Sequence, residues 1–341
     1  MDNTFQSAAL PPEELRELYR LVSAVRQLDL AAVAWQRQGI IPGYAPELGQ
    51  EAAQVGSAFA MDPERDFIFP TYREMGVALT LGVDMGEYMS THKAGWHGGL
   101  YDPVKTRLAP IQAVVGGSVL HAVGWAHGQT LAGGDSPGVA LTYFGDGASS
   151  QGDVHEAMNF AGVLKAPVIF FVQNNGWAIS LPTAAQVAGG TVAARAAGYG
   201  MRAITVDGND VAAVVAATRE AAAHARAGHG PVLIEAMTYR RGPHSTSDDP
   251  GRYRSLDEER RDAGADPVRL LADRLLAEGI AGREFLDAAD QQARENADRV
   301  REAVSAQGSR PGREMFDFVY AEPTEALMAQ AKAWREESEH V

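Results

Sequence analysis

Apolar positions recur along the chain with two different periods, and the alternation between them predicts the architecture. Residues 11–38 carry Leu15, Leu18, Leu21, Val22, Val25 and Leu28 at intervals of three and four, with Pro12 near the start, the pattern of a long amphipathic helix. Residues 39–46 break that pattern, and Gly49-Gln50-Glu51-Ala52 opens a second helix through residue 60. After a short strand ending in Phe69, the run 139–144 (VALTYF) is β-branched and aromatic, too short for a helix, and bounded by Gly145. Residues 149–164 follow as a helix with Val154, Met158 and Ala161 on one face, and 168–173 (VIFFVQ) is a second strand. Strand, helix and strand at these lengths form a βαβ unit, whose crossover makes the strands parallel. Residues 204–206 read as a short strand, 211–227 as an Ala-rich helix and 232–239 as a further buried strand. Beyond residue 257, Leu270, Leu271, Leu275 and Leu276 lie among charges, as in a helical tail. The predicted fold class is α/β: a parallel sheet with helices on both faces and a helical C-terminal tail. Its divisions are an N-terminal helical arm (1–40), an α/β domain (41–255) and the tail (256–341), which is expected to pack on the body.

Composition narrows the class without naming it. The 341 residues are 45% hydrophobic and 22% charged, values of an ordinary globular protein with a sizeable core. A net charge of −14 argues against a nucleic-acid surface. The absence of cysteine removes disulfides, thiolate metal sites and a cysteine nucleophile. No apolar run reaches membrane-spanning length, and the amino end lacks a basic-then-apolar signal. The expected compartment is the cytoplasm.

Chemistry concentrates where the two parallel strands end. Asp146, in Gly145-Asp146-Gly147, and Asn175, in Asn174-Asn175-Gly176, fall at the same carboxyl edge, where open α/β sheets bind ligands. If the strands are neighbours, their backbones run roughly 5 Å apart. A carboxylate and an amide oxygen are hard ligands suited to Mg²⁺ or Ca²⁺, and Mg²⁺ usually completes its shell with water and a substrate diphosphate. Gly145 and Gly147 permit close backbone approach, and the amides opening the next helix face an anion. A dinucleotide-binding turn fails on two counts: Ser150 occupies the third glycine position, and asparagines replace the acidic residue after the second strand. A glycine turn beside a structural asparagine pair is the plainer alternative.

Three further segments carry candidates. Tyr72-Arg73 leaves a short strand, and a guanidinium forks onto phosphate oxygens as lysine cannot. Residues 239–254 (YRRGPHSTSDDPGRYR) are turn-rich and predict a surface loop at the same sheet edge, with His244 at its centre. His92 and His97 stand five apart in a loop-like stretch without an obvious third ligand, so no metal site is assigned there; His97 is a candidate for a substrate- or channel-facing role. Glu51 fits either a place near the site or a first-turn carboxylate favoured by the helix dipole.

GDG followed, 29 positions after its aspartate, by the second asparagine of an NN pair resembles the thiamine diphosphate motif. The words EAMNFAG, PVIFFVQNNGWAIS, VDGNDV and YRRGPHSTSDDP resemble one branch in particular, the alpha subunit of the decarboxylating first component of 2-oxoacid dehydrogenase complexes. The likeness runs from about residue 42 to residue 254, with a weaker echo at MFDFVYAEPTEAL. It implies a thiamine diphosphate-binding fold and a lipoamide-acylating oxidoreductase. Mg²⁺ would be held by Asp146, Asn175 and the main-chain carbonyl of Trp177, where relatives often have tyrosine. Gly147, Ala148, Arg73 and His244 would hold the diphosphate, with Tyr72 beside them and His244 as this chain's catalytic side chain. The carbonyl of Ala113, where relatives often have glycine or serine, and Val115 would face the aminopyrimidine. Ser245 matches a serine phosphorylated in some relatives.

The resemblance also implies partners. The glutamate that activates the cofactor would come from a separate beta chain in an assembly of two alpha and two beta subunits, with the tail (256–341) as a subunit interface. The acyl group would pass to a lipoyl-lysine of an acyltransferase core. A branched-chain 2-oxoacid of the 3-methyl-2-oxobutanoate type is ranked first as substrate, pyruvate second and acetoin third; a non-catalytic diphosphate-binding protein is the remaining alternative. Neither nucleic acid nor membrane is expected as a partner.

Overall fold

Alternation of strands and helices returns the chain repeatedly to one edge of a sheet, and parallel pairing follows from it. The computed structural model describes residues 4–5, 9–93, 100–133, 137–255, 257–258, 265–308 and 311–338. Its strands are, in chain order, β1 (Thr4–Phe5), β2 (Phe67–Phe69), β3 (Ala140–Gly145), β4 (Val168–Asn174), β5 (Trp177–Ala178), β6 (Leu181–Pro182), β7 (Arg202–Asp207) and β8 (Val232–Met237). The main sheet runs β1-β7-β8-β4-β3-β2, and every neighbouring pair is parallel. β5 and β6 form a separate antiparallel hairpin.

The central strand β4 is buried along its whole length, as a continuous apolar run between two helical layers requires. Its side chains alternate between them. Ile169 and Phe171 join the core under the helices Pro12–Arg37, Glu51–Phe59 and Val211–His224. Val168, Phe170 and Val172 join the other core, with Val119 and Val123 of the helix Gly117–Ala132 and Met158 of the helix Gly152–Leu164. The predicted α/β fold with helices on both faces is the observed one. The tail is helical as well: Arg283–Ala306 packs along Pro12–Arg37, where Ser23 Oγ donates to Asp290 Oδ1 at 2.5 Å.

Differences lie at element ends. The helix expected from residue 149 begins at Gly152, because the Asp146 carbonyl captures Ser149 through both its amide and its hydroxyl, at 3.2 and 2.6 Å. Residues Ala148–Ser150 are thereby turned into a 3₁₀ segment. The helix expected to reach residue 227 gives way after His224 to a π turn containing Gly228 at φ +79°. The strand expected to reach residue 239 stops at Met237, level with the end of β4. Helix Met75–Thr80 and the β5–β6 hairpin carried no periodic signal.

Candidate cofactor site

Register places the candidate residues together. β3 and β4 are direct neighbours, with Gly145 opposite Gln173, so Asp146 and Asn175 leave the sheet side by side. β8 ends beside β4, and the chain stays paired after it: Thr238 N donates to Asn174 O at 2.9 Å and Arg240 N to Asn175 O at 3.1 Å. The loop bearing His244 therefore starts at the same edge. A cavity of about 290 Å³ opens there, with Asp146, Asn175, Trp177, Arg73 and His244 in its wall.

Asp146 and Asn175 are buried. Burial pushes the Asp146 carboxyl above the ordinary aspartate value, against the bonds that Oδ2 accepts from Thr183 Oγ1 at 2.5 Å and Gln186 Nε2 at 3.3 Å. Asn175 Nδ2 donates to Gln50 Oε1 at 3.1 Å, and its Oδ1 accepts from Trp177 N at 3.3 Å. Gly176 turns the chain at φ +85°, a left-handed value that favours glycine. The Trp177 carbonyl accepts from Arg240 Nη1 at 3.0 Å, which leaves it one lone pair. The indole Nε1 donates to Glu258 Oε1 at 2.8 Å. Arg240 is fully buried and also donates to Ile179 O at 2.7 Å, so it holds the β5–β6 turn, where Ile179 adopts φ +55°.

Arg73 and His244 line the same cavity. The Arg73 guanidinium donates to the carbonyls of Pro46 and His244, and its Nη2 stands 3.2 Å from His244 Nδ1. Burial first, then Arg73 and Arg240, lower the His244 pKa to about 4. Since a guanidinium only donates, Nδ1 accepts, and the neutral ring carries its proton on Nε2. Tyr72 packs edge-on to His244 with ring centroids 6.2 Å apart, under the Arg73 guanidinium. A strut supports this wall: Thr246 N donates to Tyr44 O at 2.8 Å, while Tyr44 Oη and Glu47 N donate to the buried Asp29 Oδ1 at 2.7 and 2.9 Å.

The backbone at Gly147 is tightly approached. A Cβ on Gly147 would stand 2.6 Å from Ala178 Cβ, so the backbone approach there requires glycine. Ala148 is buried beside it. Val115 lines the cavity together with Val114, whereas Ala113 is exposed just outside the lining.

Several residues at the site escaped sequence reasoning. In Gly49-Gln50-Glu51, Gln50 lines the cavity and its Nε2 is buried without a partner. Glu51 instead binds Arg26 Nε at 2.5 Å and Gly49 N at 2.9 Å, which decides for a structural carboxylate. Glu74, fully buried and with its pKa raised by that burial, accepts from Gln173 Nε2 at 2.6 Å. Thr183, Gln186 and Arg240 lay in segments without a periodic signal. His92 is packed against Tyr44 and Tyr88, its pKa lowered to about 4 by burial, and His97 lies outside the described residues.

Asp146, Asn175, Arg73 and a neutral His244 thus line one cavity at the carboxyl ends of β3 and β4. A family model described as the dehydrogenase E1 component matches residues 19–312, and the chain belongs to that family, which is thiamine diphosphate-dependent. The chain is 46% identical over 329 residues to the 3-methyl-2-oxobutanoate dehydrogenase subunit alpha of Mycobacterium tuberculosis, covering 96% of this chain and 88% of the relative. It is 39% identical over 316 residues to the pyruvate dehydrogenase E1 component subunit alpha of Bacillus cereus, covering 92% and 83%. To the mitochondrial 2-oxoisovalerate dehydrogenase subunit alpha of Homo sapiens it is 37% identical over 344 residues, covering 97% and 76%. Among the described residues no helix is long and apolar enough to cross a membrane.

Proposed function

We propose that this chain is the cofactor-anchoring alpha subunit of a 2-oxoacid dehydrogenase, acting on a branched-chain 2-oxoacid of the 3-methyl-2-oxobutanoate type in the cytoplasm. The observation that carries this reading is the placement of Asp146, Asn175, Arg73 and His244 in the lining of one cavity. Their chemistry fits the implied groups. Asp146 is a buried carboxylate with one oxygen left without a partner residue, a situation a cation relieves. The buried, unpartnered Gln50 Nε2 and the Nε2–H of neutral His244 are donors suited to phosphate oxygens. Mg²⁺ would be held by Asp146, Asn175 and the remaining lone pair of the Trp177 carbonyl. Diphosphate would be held by Gly147, Ala148, Arg73 and His244. Thiamine diphosphate, when bound, supplies the electron sink that decarboxylation of a 2-oxoacid needs. This chain's side chains orient and charge-balance it, and Val114 and Val115 offer exposed carbon surface in the same cavity.

A beta subunit completes the site in this reading, in an assembly of two alpha and two beta chains that passes the acyl group to a lipoyl-bearing acyltransferase core. Apolar surface supports a protein partner: on helix Gly152–Leu164, Phe160 is 53% and Val163 75% exposed, and Leu131 is exposed on helix Gly117–Ala132, which packs against it.

The test is a substrate panel on the chain assembled with its cognate beta subunit, Mg²⁺ and thiamine diphosphate, following acylation of a lipoyl domain. The expected result is a kcat/KM for 3-methyl-2-oxobutanoate at least about tenfold above that for pyruvate, the discrimination one or two methylenes provide. The reverse order would favour the pyruvate reading, for which the Bacillus cereus relative speaks. Inactivity toward every 2-oxoacid would overturn both.

A further inference from the structure

The two carboxylate oxygens of Asp146 have different surroundings. Oδ2 accepts the Thr183 hydroxyl at 2.5 Å and the Gln186 amide at 3.3 Å. Oδ1 accepts no hydrogen bond from any other described residue, the carboxylate is also bonded by Asp146's own backbone amide, and Asp146 lines the cavity. The β5–β6 hairpin makes this possible. It is closed by Thr183 N donating to Gly176 O at 3.0 Å, which returns Thr183 to the Asp146 side chain 37 positions earlier. The Thr183 hydroxyl has a single proton; the shorter contact assigns it to Asp146, and Asn174 Oδ1 lies farther off at 3.1 Å. Gln186 closes the 3₁₀ turn Thr183–Ala185, so both donors ride on one short segment.

We infer that Thr183 and Gln186 are positioning residues that make Asp146 a one-oxygen metal ligand, and that they thereby set the site for a small octahedral cation such as Mg²⁺ against Ca²⁺. The inference rests on the metal-bridged diphosphate site proposed above. The chemical reason is denticity. Mg²⁺ takes six oxygens at about 2.0–2.1 Å and is served by single carboxylate oxygens, whereas Ca²⁺ takes six to eight at about 2.3–2.6 Å and readily accepts both oxygens of one carboxylate. With Oδ2 tied to two donors, Asp146 offers only Oδ1. Freed of them, the carboxylate can rotate and chelate. The backbone bond from Thr183 N to Gly176 O closes the hairpin independently of the hydroxyl, so removing the hydroxyl separates positioning from folding.

The test uses the chain assembled with its cognate beta subunit. Thiamine diphosphate affinity is measured by calorimetry with Mg²⁺, then with Ca²⁺, for wild type, Thr183→Val, Thr183→Ser and Gln186→Ala. Wild type is expected to prefer Mg²⁺. Thr183→Val and Gln186→Ala are expected to lose about 10–100-fold in Mg²⁺-supported affinity, the usual effect of removing an outer-shell partner, while Ca²⁺-supported affinity holds or rises. Thr183→Ser, which keeps the hydroxyl, should retain the wild-type ratio. An unchanged Mg²⁺-to-Ca²⁺ ratio in both Thr183→Val and Gln186→Ala would overturn the inference while leaving the site itself intact. Equal losses with both metals would also overturn it, since a general structural defect does not discriminate between cations. Metal-independent binding by wild type would remove the underlying site and the inference with it.

Discussion

Arg73 grips His244 by its main chain and faces its ring at once: Nη2 donates to the His244 carbonyl at 2.7 Å and lies 3.2 Å from Nδ1. The same guanidinium donates to the Pro46 carbonyl. One planar fork therefore ties Arg73 to two loops, at His244 171 positions later and at Pro46 27 positions earlier.

Arg73→Lys preserves the charge and loses the fork. An ammonium is a compact charge and cannot reproduce the divergent donors, so His244 O and Pro46 O compete for one group. The expected outcome is a thiamine diphosphate affinity lowered at least about tenfold, with a stability loss of about 1–3 kcal/mol from unpaired buried carbonyls. Calorimetry and chemical denaturation check the two parts separately.

His244 should titrate near pH 4 in the free chain, since burial and then the two arginines disfavour its cation. The unfolded chain takes up this proton near the ordinary 6.5. Below that value the unfolded state binds more protons, so this residue costs stability progressively as pH falls from about 6.5 to about 4. A histidine NMR titration reads the ring directly, and an added diphosphate anion should raise its pKa. A ring pKa of 6 or above in the free chain would contradict the structure.

Gly147→Ala sets a methyl against Ala178. The hairpin must give way, at about 1–3 kcal/mol for an overpacked contact, and cofactor affinity should fall with it. Ala178→Gly removes the opposing methyl, so the double variant should recover much of the lost stability. Thermal denaturation of the two single variants and the double variant measures that coupling.

Arg240→Leu leaves the carbonyls of Trp177 and Ile179 without their buried donor. Each unpaired group costs about 1–3 kcal/mol, and the turn carrying Ile179 at positive φ loses its restraint. The expected outcome is a fold loosened at the hairpin, read as faster amide exchange at residues 177–182 than in the wild type.

The βαβ unit was legible because β3 and β4 are unbroken apolar runs separated by a helix-length segment, and such runs have few other solutions between two helical layers. Asp146 and Asn175 were legible for the same reason: both terminate parallel neighbours, so the topology alone puts them together. Thr183 and Gln186 were not, because they reach Asp146 through a hairpin of two-residue strands that leaves no periodic trace. Gln50 was overlooked beside Glu51, since only the fold reveals which of two adjacent polar side chains faces the cavity. The neutral form of His244 depends first on burial and then on Arg73 and Arg240, and no local pattern around the histidine reports the burial or Arg73.

Thiamine diphosphate calorimetry on the chain assembled with its cognate beta subunit, with and without Mg²⁺, tests the central claim most directly, with Asp146→Ala as the paired variant. The account predicts tight binding that requires Mg²⁺ and disappears in the variant. Equal affinity without the metal, or micromolar affinity retained by Asp146→Ala, would contradict the assignment of Asp146 and Asn175 as the cation-bridged anchor of the cofactor.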